Sequence, residues 1–159
     1  MPMTPAIKQA EKAGIPFSVL EYEHDSRAPS YGMEAADKLG LAPELVFKTL
    51  MVALDEKSAP IAVALVPVAK QLNLKLAAKA LGQKKLVMAN PTAAERSSGY
   101  LLGGISPLGQ KKPLPTLIDI SAEALAQMHV SAGRRGLEIA LAPQSLAGLC
   151  RGVFVAITG

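Results

Sequence analysis

The sequence predicts an α+β fold, because short helical and short strand patterns follow one another in irregular order along its 159 residues. Two segments carry most of this prediction. Residues 46–52 and 61–66 are apolar on both strand faces, and the turn-forming residues 55–60 between them predict an antiparallel hairpin at the centre of a sheet. We expect a single domain over residues 1–159, with a mixed, partly barrel-like β-sheet surrounded by short helices.

The helices are predicted from their capping residues. Thr4 offers an N-cap oxygen before Pro5, and Gly14 ends the first helix. The same kinds of signal predict a helix over 33–39, a helical turn at Pro43, helices that begin after Asn73 and Asn90, a helix from Ser121 to about Gln127, and a last helix from Pro143.

The remaining strands are predicted from alternation and from β-branched residues, with turn residues between them. Residues 23–31 are polar and contain a proline, which predicts a loop. The glycines and arginines of residues 133–136 predict a tight turn between two strands. The strands are expected over residues 17–22, 86–88, 117–120, 129–131, 137–141 and 153–157.

Lys48 is the most unusual residue of the central hairpin. It shares a strand face with Val46, Leu50 and Val52, and the opposite face is no more polar. Such a lysine extends its ammonium group to solvent at the strand end, pairs with an acid, or lines a pocket for an anionic ligand. Periodicity alone favours the first of these.

Charge is distributed unevenly along the chain. Residues 1–56 hold nine acidic and five basic side chains, whereas residues 57–118 hold nine basic side chains and one acid, Glu95. This asymmetry indicates an anionic partner for the middle third, although a solvated basic surface is a common alternative. The candidate contacts to nucleic acid are Lys75, Lys79, Lys84, Lys85, Lys111 and Lys112.

Several protein classes are disfavoured. No apolar run approaches the length of a membrane span, and residues 1–14 lack a signal-peptide core. One cysteine, Cys150, excludes an intrachain disulfide framework and fits a reducing compartment, so we expect a soluble cytoplasmic protein. Two histidines and one cysteine do not make a typical zinc site, and no nucleotide-binding glycine motif occurs, so neither metal nor cofactor is expected.

A glycine-rich stretch offers the clearest candidate for ligand contact. Gly103 and Gly104 allow close approach of a ligand to the backbone and can direct N–H groups at an oxygen, although a pair of glycines often serves only a turn. Together with Lys48 and the basic residues nearby, this stretch suits a phosphate-bearing ligand that also carries a carbonyl group.

These motifs, taken together, resemble the YbaK/EbsC family. The resemblance is carried by Lys48-Thr49 in an apolar strand, by residues 99–109 (GYLLGGISPLG), by Ser131 before residues 133–136 (GRRG), and by residues 22–25 (YEHD). It extends from Thr4 to about Phe154. The family consists of freestanding relatives of the editing domain of prolyl-tRNA synthetases.

The resemblance implies a trans-editing activity that removes Cys from mischarged Cys-tRNA(Pro), and from Cys-tRNA(Cys) as a possible second substrate. Cys and Pro are too similar in size for the synthetase pocket to separate. The implied partners are the 3′-terminal aminoacyl-adenosine of tRNA and, transiently, prolyl-tRNA synthetase. The nucleophile implied by the family is the thiol of the substrate itself, so the enzyme mainly positions the ester and its oxyanion.

The resemblance also implies roles for individual residues. Lys48 matches the functional lysine that binds the terminal adenosine or its phosphate, and Gly103 matches the backbone donor to the ester. The pocket positions are matched by Tyr22, Tyr31, Thr49, Gly104, Ser131 and Glu138. The family pattern has Phe, Gly and Asp where this chain has Tyr31, Ala132 and Glu138, which affects fine substrate preference.

Two alternatives remain open from the sequence. A related deacylase for Ala- or Ser-tRNA would need an activated water in place of a substrate thiol. A non-catalytic module that binds tRNA or a synthetase would retain the fold alone, but it would have less need of both Lys48 and the glycine pair.

Overall fold

A computed structural model describes residues 2–28 and 31–159. The expected α+β class is confirmed, with short helices around two sheets. The helices are α1 (Pro5–Ala13), α2 (Tyr31–Leu39), α3 (Leu74–Ala80), α4 (Pro91–Ser98) and α5 (Pro143–Cys150). The strands are β1 (Ser18–Glu21), β2 (Phe47–Ala53), β3 (Ala62–Pro67), β4 (Val87–Met88), β5 (Thr116–Asp119), β6 (Met128–Arg134), β7 (Leu137–Leu141) and β8 (Gly152–Val155).

The strands form a five-stranded mixed sheet and a three-stranded antiparallel sheet. The larger sheet has the order β4-β2-β3-β5-β8, and the smaller has the order β1-β7-β6. The predicted hairpin is present, since β2 pairs antiparallel with β3 and Lys48 lies opposite Val66. The two sheets approach one another where Val46 forms an isolated bridge with His129. They do not close into a barrel.

The hydrophobic core lies on both faces of the larger sheet. Phe47 and Met51 of β2 join a cluster that includes β6, β7, α1 and α5, whereas Val52 joins a second cluster with α3. A third cluster packs α2 against Val46 and Val68. Lys48 therefore belongs to the α3-facing side of β2 but lies near the strand end, beyond the well-packed centre of that face.

Four of the predicted helices begin as the sequence signals indicate, three with a side-chain cap and one with a proline in its first turn. The Thr4 hydroxyl accepts the Ile7 N–H, the Asn73 side chain accepts the Leu76 N–H, and Asn90 caps α4 in the same way. Pro143 occupies the first turn of α5. The helical turn at Pro43 is a 3-10 helix over Pro43–Leu45.

The predicted helix from Ser121 to Gln127 is wrong. The structure has one 3-10 turn, Ile120–Ala122, capped by Asp119 and not by Ser121. The buried Asp119 carboxylate accepts hydrogen bonds from the Ser121 N–H and hydroxyl and from the Ile157 N–H. These contacts bind the segment to β5 and the chain end, and residues 123–127 continue without a helix.

Some element boundaries also differ from the predictions. Strand β8 ends at Val155, two residues before the predicted end, and β6 continues to Arg134 into the predicted turn. The predicted loop over residues 23–31 ends where α2 begins at Tyr31, and its residues 29 and 30 lie outside the described residues. None of the helices in the described ranges has the length and apolar character needed to cross a membrane.

Candidate functional site

A cavity of about 320 Å³ opens where the first half of β2 faces the three-stranded sheet. Its size is at the low end of the range for small-molecule sites. Four separate segments of chain contribute to it: β2, the smaller sheet, the start of α2 and the loop after α4. The lining residues are Tyr22, Tyr31, Gly32, Val46, Phe47, Lys48, Thr49, Leu50, Leu102, Gly103, Ile105, Ser131 and Glu138.

Lys48 lies in the cavity wall without a carboxylate partner among the described residues, since their ion pairs do not include it. Its side chain is partly buried, and this desolvation lowers the pKa of the ammonium group from its ordinary value. The first turn of α2 packs close by: a Cβ at Gly32 would lie 2.4 Å from Val68 Cγ1 and 3.9 Å from Lys48 Cβ. Lys48 is thus a partly desolvated lysine whose Cβ lies beside the first turn of α2.

Thr49 brings a side-chain hydroxyl and backbone peptide groups to the cavity wall. Its Oγ1 is buried and makes no hydrogen bond within the described chain. On β2 the Val46 and Val52 carbonyls accept N–H groups from the β3 side, whereas the Met51 carbonyl accepts the Ala89 N–H on the outer edge. By alternation, the Thr49 peptide groups point to that outer edge, where β4 pairs only with the last two residues of β2. A ligand here can satisfy an otherwise unpaired strand edge.

The two glycines of the candidate donor pair have different surroundings. Gly103 has a φ of +85° and lines the cavity, and its N–H has no acceptor among the described residues. The Gly104 N–H donates a hydrogen bond to the Leu101 carbonyl at 3.0 Å, and Gly104 does not line the cavity. A Cβ at Gly104 would lie 2.5 Å from Arg134 Cα, so this glycine serves close packing.

Glu138 and Ser131 form the wall contributed by the smaller sheet. The Glu138 carboxyl has no ion-pair partner in the described ranges, and its burial raises its pKa to about 8. It is therefore mostly protonated at neutral pH and can donate a hydrogen bond. The Ser131 hydroxyl accepts the Gly133 N–H at 3.2 Å. Lys48 and Glu138 share the cavity without forming an ion pair, which leaves space for a ligand between them.

The two tyrosines also line the cavity, and Tyr22 lies close enough to Glu138 for the carboxyl group to affect its pKa. Burial is the main cause that raises the pKa of Tyr22, whose N–H donates to the Gly136 carbonyl at 3.0 Å. Tyr31 is 43% exposed, and its ring lies under the guanidinium of Arg135, with Cζ 3.9 Å from the ring centre. Tyr31 therefore marks the mouth of the cavity.

A buried carboxylate anchors the α2 wall. Glu34 accepts hydrogen bonds from His24 Nδ1 at 2.8 Å and from the Asp25 N–H at 2.7 Å, and Lys38 lies 3.6 Å away. These contacts hold the segment after Tyr22 against α2. His24 is thus engaged by Glu34 and does not line the cavity, and neither does His129, whose pKa is lowered by burial.

The structure separates the six candidate lysines from the cavity. All six are exposed and none is a lining residue. Lys111 packs beside Gly99 at the end of α4, close in sequence to the glycine loop. Lys85 borders a different hollow, at the turn after β2. Cys150 lines a small third cavity with Gln9 and Arg151, and burial raises the pKa of its thiol to about 11.

Within the described residues, no group of three or more His, Cys, Asp or Glu side chains is placed to hold a metal ion. The lining of the main cavity contains neither a cysteine nor a histidine. Its ionisable groups are Lys48, Glu138 and the two tyrosines. The arrangement therefore offers a cation, a free backbone donor and a neutral acid around a small polar ligand.

Comparison with known proteins relates this geometry to a family. The family model described as the aminoacyl-tRNA editing domain matches residues 28–149. A protein of Enterococcus faecalis, named provisionally as the Cys-tRNA(Pro)/Cys-tRNA(Cys) deacylase EbsC, is 38% identical over 156 residues, which cover 98% of this chain and 93% of that protein. The chain belongs to the aminoacyl-tRNA editing domain family. The YbaK/EbsC resemblance seen in the sequence is thereby confirmed.

Solved structures show the same fold. A protein described provisionally as a trans-editing enzyme for prolyl-tRNA synthetase superposes with a TM-score of 0.82 at 21% identity, with 99% of both chains covered. The hypothetical protein APE2540 superposes with a TM-score of 0.84 at 20% identity, covering 98% of this chain and all of that one. In this editing domain, the matched region includes β2, the glycine loop and the β6–β7 hairpin.

Sequence reasoning did not single out several residues that build this editing-domain site. Gly32 and Leu102 line the cavity, and Arg135 covers Gly103 and Tyr31. The sequence marks Glu95 only as the one acid of residues 57–118, whereas in the structure its carboxylate accepts the Leu102 N–H at 2.8 Å. An acid that stands alone in a basic segment is the one sequence feature that could have indicated a structural role for Glu95.

Proposed function

We propose that this editing domain is a trans-editing deacylase that removes Cys from Cys-tRNA(Pro), with the substrate thiol as nucleophile. The observation that carries the proposal is that Lys48 and Gly103 line one cavity, and that the Gly103 N–H has no acceptor among the described residues. The named relative EbsC, at 38% identity, supports Cys-tRNA as substrate. Cys-tRNA(Cys) is a second candidate substrate on the same ground.

The cavity accommodates an aminoacyl ester better than a whole nucleotide. At about 320 Å³ it holds a small amino acid and part of the terminal ribose, while the adenosine and the preceding phosphate lie towards the mouth. Lys48 supplies positive charge for that phosphate or the adenosine. Thr49, Ser131 and Glu138 surround the amino acid, and Tyr22 and Tyr31 border it.

In the proposed reaction the cysteinyl sulfur bonds to the carbonyl carbon of its own aminoacyl group. The ester C–O bond breaks, the ribose oxygen takes up the proton that the thiol lost, and a cyclic thioester leaves and is hydrolysed by water. The Gly103 N–H donates to the oxyanion that develops on the carbonyl oxygen. A free thiol with a pKa of about 8.5 is already partly ionised near neutrality, so positioning is the main task of the protein.

A second candidate is a deacylase for Ala- or Ser-tRNA that activates a water. One observation favours it: burial raises the pKa of Glu138 to about 8, a range in which a carboxylate acts as general base. This alternative needs the ionised form of Glu138, whereas the thiol mechanism works with the neutral form.

The test compares three substrates that differ only at the reacting side chain. Cys-tRNA(Pro) should be deacylated rapidly, Ser-tRNA(Pro) should compete for binding but react much more slowly, and S-alkylated Cys-tRNA(Pro) should not turn over. Release of labelled amino acid gives the rates. Rapid hydrolysis of the serine or alkylated substrate would favour the activated-water alternative, and no acceleration of any substrate would favour a binding module.

Prolyl-tRNA synthetase is the expected transient partner, since it produces the mischarged substrate. The cytoplasm is the expected location, since the substrate is made and used there during translation.

A further inference from the structure

The segment that carries the proposed donor, residues 99–105 and here called the Gly103 loop, is held by a side chain on each of its two sides. On one side, the Glu95 carboxylate of α4 accepts the Leu102 N–H at 2.8 Å. On the other side, the Arg135 side chain covers Gly103. The proposed reaction gives Gly103 a chemical role, but it gives none to Glu95, Leu102 or Arg135.

Glu95 is placed as an anchor for the backbone. It is the single acid in residues 57–118, and none of the ion pairs among the described residues includes it. Its carboxylate bonds the peptide N–H directly before Gly103, and charge-assisted bonds of this type are short and well oriented. On the other side of Gly103, the Gly104 N–H donates a hydrogen bond to the Leu101 carbonyl. Between these two bonded groups, the Gly103 N–H has no acceptor among the described residues.

Arg135 is placed as a cover. A Cβ at Gly103 would lie 2.6 Å from Arg135 Cδ and 2.8 Å from its Cγ, so the aliphatic part of the side chain rests directly on the glycine. The guanidinium continues over the Tyr31 ring at 3.9 Å, a cation–π distance. Arg135 Nε is buried and has no hydrogen-bond partner within the described chain. One side chain thus connects the Gly103 loop, the β6–β7 turn and the start of α2.

We infer that Glu95 and Arg135 are positioning residues that fix the Gly103 N–H against the carbonyl oxygen of the substrate. This inference rests on the proposed function, because it assigns the Gly103 N–H to the reacting carbonyl. Misplacement of an oxyanion donor lowers the rate of the chemical step more than substrate binding, so both residues act on kcat.

Glu95 is tested with a conservative pair of variants. Glu95→Ala removes the acceptor for the Leu102 N–H and should lower kcat about tenfold or more, with KM changed less than about threefold. Glu95→Gln keeps an amide oxygen at the same reach and should restore kcat to within about threefold of the wild type. Arg96→Ala, at the next position of α4, is the matched control and should leave kcat unchanged.

Arg135 is tested by separating its stem from its charge. Arg135→Met keeps an unbranched stem over Gly103 and should retain most of kcat, whereas Arg135→Ala should lose about tenfold. Arg134→Ala is the control, because the Arg134 atoms nearest to Gly104 are backbone atoms, which this substitution keeps. If Arg135→Met falls as far as Arg135→Ala, Arg135 acts through its charge and the positioning role is overturned.

A second readout separates this inference from the proposed function. In 15N-labelled protein, the Gly103 amide should shift when a non-hydrolysable amide-linked cysteinyl-adenosine binds, and Glu95→Ala should reduce that shift and speed exchange of the Leu102 N–H. If the wild-type protein binds the analogue but deacylates no substrate, the proposed function is refuted, whereas the positioning of the Gly103 N–H is still tested by the chemical shifts. An active wild type whose Glu95→Ala variant keeps full kcat and an unchanged Gly103 shift overturns this inference.

Discussion

Glu138 of β7 lies directly opposite Ser131 of β6 in the antiparallel ladder, and both residues line the cavity. The pairing places a carboxyl group with no charged partner among the described residues beside a hydroxyl that is already engaged with Gly133. Burial without a cation is the reason that the Glu138 pKa rises to about 8. The protonation of this one carboxyl group should therefore be visible in both stability and activity.

The first prediction concerns stability. Because the pKa of Glu138 rises from 4.5 to about 8 on folding, its stabilising contribution is complete below pH 4.5 and is lost as pH increases through about 8. Glu138→Gln removes this loss and should be more stable than the wild type at pH 9 by about 2–4 kcal/mol, and much less so at pH 5. Urea unfolding at both pH values measures the difference. Glu123→Gln, an exposed acid, is the control, and equal pH slopes for wild type and Glu138→Gln would contradict the prediction.

The same variant separates the two proposed chemistries. If neutral Glu138 donates a hydrogen bond to the substrate, Glu138→Gln should keep activity within about tenfold at pH 7. If ionised Glu138 is a general base for water, the variant should lose about a hundredfold or more. A pH–rate profile on Cys-tRNA(Pro) distinguishes these outcomes.

The sequence allowed the central hairpin and the helix caps to be predicted, because these depend on local patterns. The apolar run around Lys48 forms β2, and Thr4, Asn73 and Asn90 cap helices as expected. The segment after β5 was mispredicted because Asp119 bonds to Ile157, a contact over 38 positions that no local pattern reveals. The division of the strands into two sheets likewise depends on long-range pairing.

The candidate site was predictable where a side chain broke its local pattern. Lys48 in an apolar strand and Gly103 in a glycine stretch both line the cavity. Gly104 lies outside it, because its N–H is used within the loop and its α-carbon packs on Arg134. Arg135 could not be predicted as a cover for Gly103, since that contact depends on how the β6–β7 turn meets a distant loop.

The second prediction concerns Lys48. Lys48→Ala should abolish deacylation, by about a hundredfold or more, with the fold intact, because Lys48 supplies the positive charge of the cavity lining. Lys48→Met should be as inactive and at least as stable as the wild type, since burial already lowers the pKa of the ammonium group. Rates and circular dichroism measure both effects, with Lys12→Ala, an exposed lysine of α1, as control. A folded Lys48→Ala with near-native activity would place the site elsewhere.

The third prediction concerns Cys150. Cys150→Ala should leave kcat unchanged and cost about 1 kcal/mol of stability, because the thiol is buried in α5 and lies in a different cavity. Its pKa of about 11 keeps it protonated, so thiol reagents should modify it slowly in the folded protein. Treatment with a chelator should also leave the rate unchanged. Loss of activity in either experiment, with the fold retained, would assign the nucleophile or a metal to the protein.

The last prediction concerns tRNA. The exposed lysines of the middle third can contact phosphates, which positions nucleic acid without reading its sequence, so the isolated protein should discriminate weakly between tRNA(Pro) and tRNA(Cys) bodies. Selectivity would then come from prolyl-tRNA synthetase. Binding should weaken steeply with salt.

Paired lysine substitutions locate this contact. Lys85 borders the turn after β2, about 20 Å along the strand direction from Lys48, whereas Lys111 lies beside the Gly103 loop. Two double variants test the basic segment, Lys84→Gln/Lys85→Gln and Lys111→Gln/Lys112→Gln. Each should reduce the magnitude of the slope of log binding constant against log salt concentration by about 1–2. The control double variant on α1, Lys8→Gln/Lys12→Gln, should leave that slope unchanged. Fluorescence anisotropy over a salt series measures the slopes. Equal slopes for all three pairs, or a strong preference of the pure protein for tRNA(Pro), would refute binding through the basic middle third.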